Sequence, residues 1–262
     1  TTTGENAADQ GTAGGAVLLH STGAGVITLL GDITASGGNT TAGTNDGGDA
    51  GVITVRNDSG SILIDDVTAT GGTSAGGTAG ADGTIQLSAT TTIAQQAATD
   101  ITAADGNLKL VSTGGDVTLN NVTNTVAIVA ADLTGASSLS YTDADGLSIG
   151  MIAQAGTGNA QLAAETGIVA TGADETVTVT SLTGQLTVDD VITTTSGNVE
   201  LMATAGALLI DAAVTTTAGT ATLTAGTTIT STAAGTITTT GENAADQGTA
   251  GGAVLLHSTG AG

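Results

Sequence analysis

A short β-type pattern returns along this chain about every two dozen residues. It opens at Ala16–Leu19 (AVLL), Val52–Val55 (VITV), Thr84–Leu87 (TIQL), Asn107–Leu110 (NLKL) and Thr125–Ile128 (TVAI). It returns at Gly146–Ile149 (GLSI), Asn159–Leu162 (NAQL), Thr176–Val179 (TVTV), Asn198–Leu201 (NVEL) and Thr220–Leu223 (TATL). Apolar residues alternate with Thr or other polar residues, the period-2 mark of a half-buried strand. The last three openings lie 22 residues apart. A period this short leaves few options, because one unit cannot bury its own apolar face and must stack on its neighbours.

Each unit holds three strands. In the one from Asn198 they read NVELMA, then Ala207–Asp211 (ALLID), then Val214–Thr217 (VTTT). Three strands joined by bends make one triangular coil, and coils paired in parallel repeat roughly every 4.8 Å. The expected fold is all-β: a right-handed parallel β-helix (β-solenoid), with the hand set by the rule for parallel crossovers. Roughly ten triangular coils would fill the long period described next, a rod of roughly 48 Å. Between Leu133 and Ile152 the pattern leaves the coil boundaries open.

The long period is visible at the termini. Thr1–Gly25 and Thr238–Gly262 are identical, letter for letter, at an offset of 237. Residues 1–237 therefore read as one complete tandem repeat and 238–262 as the start of the next, within a longer array. Composition fits a narrow coil: 42 Gly, no Pro, no Cys, no Trp or Phe, and a single Tyr among 262 residues. A thin interior takes Val, Ile, Leu and Ala but few large aromatics, and Pro would remove a ladder donor. Recurrent aliphatics and a mean hydropathy of +0.30 argue against disorder. Two Lys plus Arg against 24 Asp plus Glu exclude nucleic acid as a partner, since phosphate binding needs cations and base stacking needs aromatics. No apolar run is long enough for a transmembrane helix.

The GNVxL-type openings (Gly197–Leu201, Gly106–Leu110), the GDI, DDV and NNV corners and the Gly-rich insertions resemble those of filamentous-haemagglutinin-like proteins. These belong to the giant tandem-repeat bacterial surface proteins. The resemblance covers essentially the whole chain. It implies a secreted right-handed β-helix at the cell surface that serves as an adhesin, an extracellular fibre or a coat.

Stacking would turn positions into columns. One expected column comprises Asp32, Asp66, Asp100, Asn121, Asp190 and Asp211, at the bend before the third strand. Asp and Asn suit tight turns; alternatively, carboxylates stacked this closely could hold calcium. A second column is threonine: Thr34/Ser36, Thr68/Thr70, Thr123/Thr125, Thr193/Thr195, Thr215/Thr217 and Thr238/Thr240. Such ladders occur on ice-binding solenoids, and Thr is also simply a good strand residue. Three long insertions, Gly4–Gly15, Gly37–Gly51 and Gly71–Gly83, should stack into a ridge, with Gly241–Gly252 repeating the first. Glu5, Asp9, Asp46, Asp49 and Asp82 in them are the first candidates for calcium, with Asn6, Asn39 and Asn45 beside them; plain solvated loops are the alternative.

No catalytic constellation emerges. His20, copied as His257, follows a strand with no Ser or Cys partner and reads as a surface or rim residue. The acidic pairs Asp65–Asp66, Asp189–Asp190 and Asp143–Asp145 could imitate a glycosidase, but adjacent strand residues face opposite ways. Arg56, Lys109 and Tyr141 are too few for a sugar-processing groove. The expected role is a non-catalytic structural module of a giant extracellular fibre, sheath or adhesin stalk, with no required cofactor. Its partners would be copies of itself and a host or neighbouring cell surface. A receptor- or glycan-binding adhesin surface is the main alternative, ahead of an ice binder or a carbohydrate-active enzyme.

Overall fold

The structure is a computed structural model that describes residues 1–7, 10–156, 161–241 and 250–260. Among these residues there is no helix, and every pair of strands but one is parallel. The chain opens with β1 (Val17–Ser21), β2 (Ile27–Thr28) and β3 (Ile33–Thr34), then β4 (Ile53–Asn57), β5 (Ile62–Ile64) and β6 (Val67–Thr68). Next come β7 (Thr84–Ala89), β8 (Ile93–Gln95), the long bent β9 (Ile101–Ser112), β10 (Val117–Leu119) and the long bent β11 (Thr125–Leu133). β12 (Leu139–Asp143) and β13 (Leu147–Ile149) precede a hairpin of β14 (Met151–Ile152) and β15 (Glu165–Thr166), after which β16 (Ile168–Ala170) rejoins the stack. Three regular coils follow: β17 (Val177–Ser181), β18 (Leu186–Val188), β19 (Ile192–Thr194); β20 (Val199–Ala203), β21 (Leu208–Ile210), β22 (Val214–Thr217); β23 (Ala221–Ala225), β24 (Ile229–Ser231), β25 (Ile237–Thr240). β26 (Val254–Ser258) is last.

Alternation decides which side chains enter the coil. β20 reads buried–exposed from Val199 to Ala203, and β17 and β23 repeat the pattern with half-exposed Thr. Parallel register then lays like on like. On one face Ile27, Ile62, Ile93, Val117, Leu139, Val177, Val199 and Ala221 form one inward column. On another, Ile53, Ile85, Leu108 and Val129 form a second, all fully buried. Full burial of each such aliphatic is worth about 1.5–3 kcal/mol. Tyr141 takes its place in the first face between Leu119 and Val179 and is wholly buried.

The two halves of the rod divide the coil differently. In the first, face A is the long one (β1, β4, β7 and the second part of β9); face B is short (β2, β5, β8, β10) and face C shorter still (β3, β6 and the first part of β9). β11 ends this arrangement. Thr125 and Val126 close face C, pairing with Thr102 and Ala103, while Ile128–Leu133 continues face A over Asn107–Ser112. On top of that single strand sit two: β13 on Ile128–Val129 and β16 on Ala131–Leu133. From here face A is split into two short files, β13–β18–β21–β24 and β16–β19–β22–β25, and face B takes over the five-residue strands. Among the described residues face B carries nine strands, from β2 to β26.

Within residues 1–237 face B holds eight of these strands, β2 to β23, against roughly ten expected coils, and the difference has a local cause. The opening at Gly146–Ile149 does not start a new level; it is β13, one of the two files on β11. The opening at Asn159–Leu162 lies partly outside the described residues, and Leu162 forms an antiparallel bridge with Ala155 instead of a solenoid strand. Both fall where the hairpin leaves the stack. Gly167 brings the chain back with φ +67, and a Cβ there would lie 2.0 Å from Val191 O. Glycine is the residue that accepts both conditions.

Candidate functional surfaces

The described parts of the first three insertions stack into a ridge with a regular bonding rule, while residues 242–249 of Gly241–Gly252 lie outside the described residues. Within each arm, every third N–H reaches the same arm one coil on: Gly4 to Ser36 O and Ala7 to Asn39 O; Gly11 to Asp46 O and Gly14 to Asp49 O; Gly37 to Thr70 O and Thr40 to Thr73 O. Between the arms runs a zigzag. Gly38 N–H donates to Thr12 O (2.8 Å), Gly48 to Gly38 O (2.9 Å), Gly72 to Gly48 O (2.8 Å) and Gly80 to Gly72 O (2.9 Å). A three-residue repeat of this kind is the habit of polyproline-II-like chains. The arms approach so closely that a Cβ on Gly38, Gly48, Gly72 or Gly80 would sit within 2.1 Å of a carbonyl oxygen.

Three of the five candidate calcium ligands accept backbone hydrogen bonds within this framework. Asp46 Oδ1 accepts from Thr78 N (2.7 Å), Asp49 Oδ1 from Ala81 N (2.8 Å), and Asp82 from both Gly71 N (2.6 Å) and Asp105 N (2.9 Å). Asn6 and Asn39 do the same for Asn39 N and Thr73 N, each at 2.7 Å. Glu5 offers its backbone: its N–H donates to Thr12 Oγ1 and its carbonyl accepts from Thr12 N. Asp9 lies outside the described residues. Among the described residues, no three Asp, Glu or His side chains come together as a metal site would require.

The acidic corner column proves to be two shorter ones. Asp32, Asp66 and Asp100 stack in register before face C, where Asp66 Oδ1 accepts from Asp100 N at 2.6 Å. The next level places Thr123, not Asn121, over Asp100, and its hydroxyl donates to the Asp100 carboxylate. Asn121 turns its amide to Gln96 O (2.7 Å) and Thr99 O (2.8 Å). In the second half the register sets Asp211 over Asp189, with Asp190 one place along. The threonine ladder divides at the same point. Thr34, Thr68, Thr102 and Thr125 stack on face C, and Thr193, Thr215 and Thr238 on a different file. The cause in both cases is β11, which displaces the pattern by one strand.

The outer side of face A carries a feature absent from the sequence-based expectations. His20 and Arg56 are register partners, and Asp58 lies between them: 2.8 Å from His20 Nε2 and 2.5 Å from Arg56 Nε. These hydrogen bonds, His20's first, hold the Asp58 carboxyl below the usual carboxylate range. Beyond Arg56 the hairpin folds back as a flap over the face. Lys109, fully buried, donates its ammonium to Ala153 O (3.1 Å) and Ala163 O (2.5 Å), and Gln86 Nε2 donates to Ala155 O (3.0 Å). Burial lowers the Lys109 pKa and raises those of Asp132 and Glu165. All the basic side chains of the first 237 residues thus gather on one face of an acidic rod.

That flap rests on few bonds. Replacement of Lys109 by Met keeps the stem but removes the donor to Ala153 O and Ala163 O; both residues are exposed, so water can take its place and the cost is about 1 kcal/mol. Faster amide exchange is expected at Ile152 and Glu165, with the neighbouring β7–β9 ladder unchanged; equal loss in both would show that Lys109 serves the stack and not the flap.

Two further acids are closed inside the coil. Tyr141 Oη donates to Asp143 Oδ2 (2.7 Å), Val126 N–H donates to the same oxygen (3.0 Å), and Asp145 N–H donates to Oδ1 (3.1 Å). Burial pushes the Asp143 pKa up to about 7. Glu175 is 1% exposed, and neither of its carboxylate oxygens has a hydrogen-bond partner. Burial raises its pKa as well. Neither acid opens to a cleft, so both read as parts of the scaffold.

Compared with known proteins, the chain matches no protein-family model, no curated protein and no solved structure.

Proposed function

We propose that this chain is a non-catalytic structural module of a long extracellular fibre, sheath or adhesin stalk, wound in the right-handed sense. The observation that carries the reading is the seat of β26. This strand, from the start of the second copy, pairs in parallel with β23 on face B, Val254 to Ser258 on Ala221 to Ala225, which supports a stack that carries on into the next repeat. Backbone ladders along the axis let such a rod lengthen without limit, each coil bonding only to its neighbours. The acidic surface keeps rods apart in solution. Calcium enters this reading only between rods, where carboxylates of two copies could share it.

Electron microscopy and fibre diffraction of the native assembly test the reading. Strands stacked across the axis predict a meridional reflection near 4.8 Å, and the strand count predicts similar features roughly every 40 Å along the rod. Short globular particles lacking that reflection would overturn it.

A further inference from the structure

The same residues enter the stack on different faces at the two ends of the period. VLLHS at Val17–Ser21 pairs with β4 on face A, whereas VLLHS at Val254–Ser258 pairs with β23 on face B. The preceding threonines move with it. Thr2 N–H donates to Thr34 O on face C, while Thr238–Thr240 lie on β22 in the second file of the divided face.

β11 is the origin of this displacement. Four three-strand coils precede its second part, and four three-strand coils, beginning with β12, β13 and β16, follow it. The second part of β11 belongs to neither set. One period is therefore eight full turns and one strand more.

We infer that the tandem array runs out of phase with its own solenoid. Each 237-residue period begins one strand, a third of a turn, further round than the last. This rests on the array reading given above and adds to it the direction in which each period faces. The ridge leaves the corner ahead of the VLLHS strand. In the first period that corner lies between faces C and A; in the second it lies ahead of face B. Successive ridges then point to three sides of the rod, and full coincidence returns only after three periods, roughly 120 Å. A whole number of turns would instead align every ridge in one keel. The partners that fit such a surface are other copies of the rod, met on three sides, so lateral assembly builds a bundle and not a flat ribbon.

Disulfide trapping in the present chain tests the inference, since it has no native cysteine. Thr224 and His257 are register partners, as are His20 and Arg56. Parallel neighbours at this spacing fall within the Cα range that a disulfide spans. Under mild oxidation the T224C/H257C variant is expected to lose essentially all free thiol, matching the H20C/R56C control. Followed along face A, the register of His20 leads to Thr238, so an in-phase continuation would set His257 over Thr238 of β25. Bond formation in T238C/H257C, or no bond in T224C/H257C while the control closes, overturns the third-turn advance. Failure of the H20C/R56C control as well would mean that the coils themselves are not stacked, and the array reading would fall with the inference.

Discussion

Alanine at Gly48 is expected to cost about 3 kcal/mol or more, at the upper end of what single substitutions do. Gly48 is buried in the ridge, where its N–H donates to Gly38 O and its carbonyl accepts from Gly72 N. A Cβ there would lie 2.0 Å from Thr12 O, a backbone atom that cannot swing aside. Either the zigzag between the arms breaks, leaving buried amides without acceptors, or two coils separate. Amide exchange at Gly38, Gly48, Gly72 and Gly80 should rise together, because each bond positions the next. Gly31 supplies the control: it is exposed, and a Cβ would meet nothing within 4 Å. Gly31→Ala is therefore expected within about 0.5 kcal/mol of the parent. Equal unfolding midpoints for the two variants would refute the close packing of the arms.

The second large effect is a dependence on pH set by Asp143. Its folded pKa of about 7 lies well above the ordinary aspartate value of 3.8. The folded state therefore binds this proton more tightly than the unfolded chain does. Its stabilising contribution is complete below about pH 4 and is lost as pH rises through 7, at about 1.4 kcal/mol per pH unit between the two values. Asn at this position keeps an oxygen for Tyr141 Oη and Val126 N–H and removes the titration. Asp143→Asn is expected to match the parent near pH 4 and to be more stable by a few kcal/mol at pH 8. The difference between the two stability curves isolates this group from the other carboxylates. Parallel curves across that range would show that the buried carboxylate is not the source.

Much of the coil was legible from residue order because its interior repeats one simple contact. Val, Ile and Leu at alternate positions, followed by Gly or Asp at a bend, announce strands such as β17, β20 and β23 almost to their ends. The displacement at β11 was not legible, since TVAIVAADL has the same alternation whether it carries one strand or two. Asn121 was misplaced for a related reason. NNV resembles the Asp corners in composition, but register puts Thr123 in the column and frees the Asn to cap two carbonyls. The flap was hidden because its contacts use backbone carbonyls, which carry no sequence signature. Its one available clue was a lysine at an otherwise neutral strand position, buried among residues that could not pair with it. In the ridge, the recurring Gly-Gly pairs at 37–38, 47–48 and 71–72 carried the signal, marking where two backbones must touch.

The burial of Lys109 has a practical corollary. Apart from its terminus, this rod offers no other side-chain amine, and the one it has is sealed beneath the flap with both neighbouring carbonyls as acceptors. Aldehyde fixatives and succinimidyl dyes, which need a free amine to react, would spare this side chain in the folded protein and reach it only once the flap has come away.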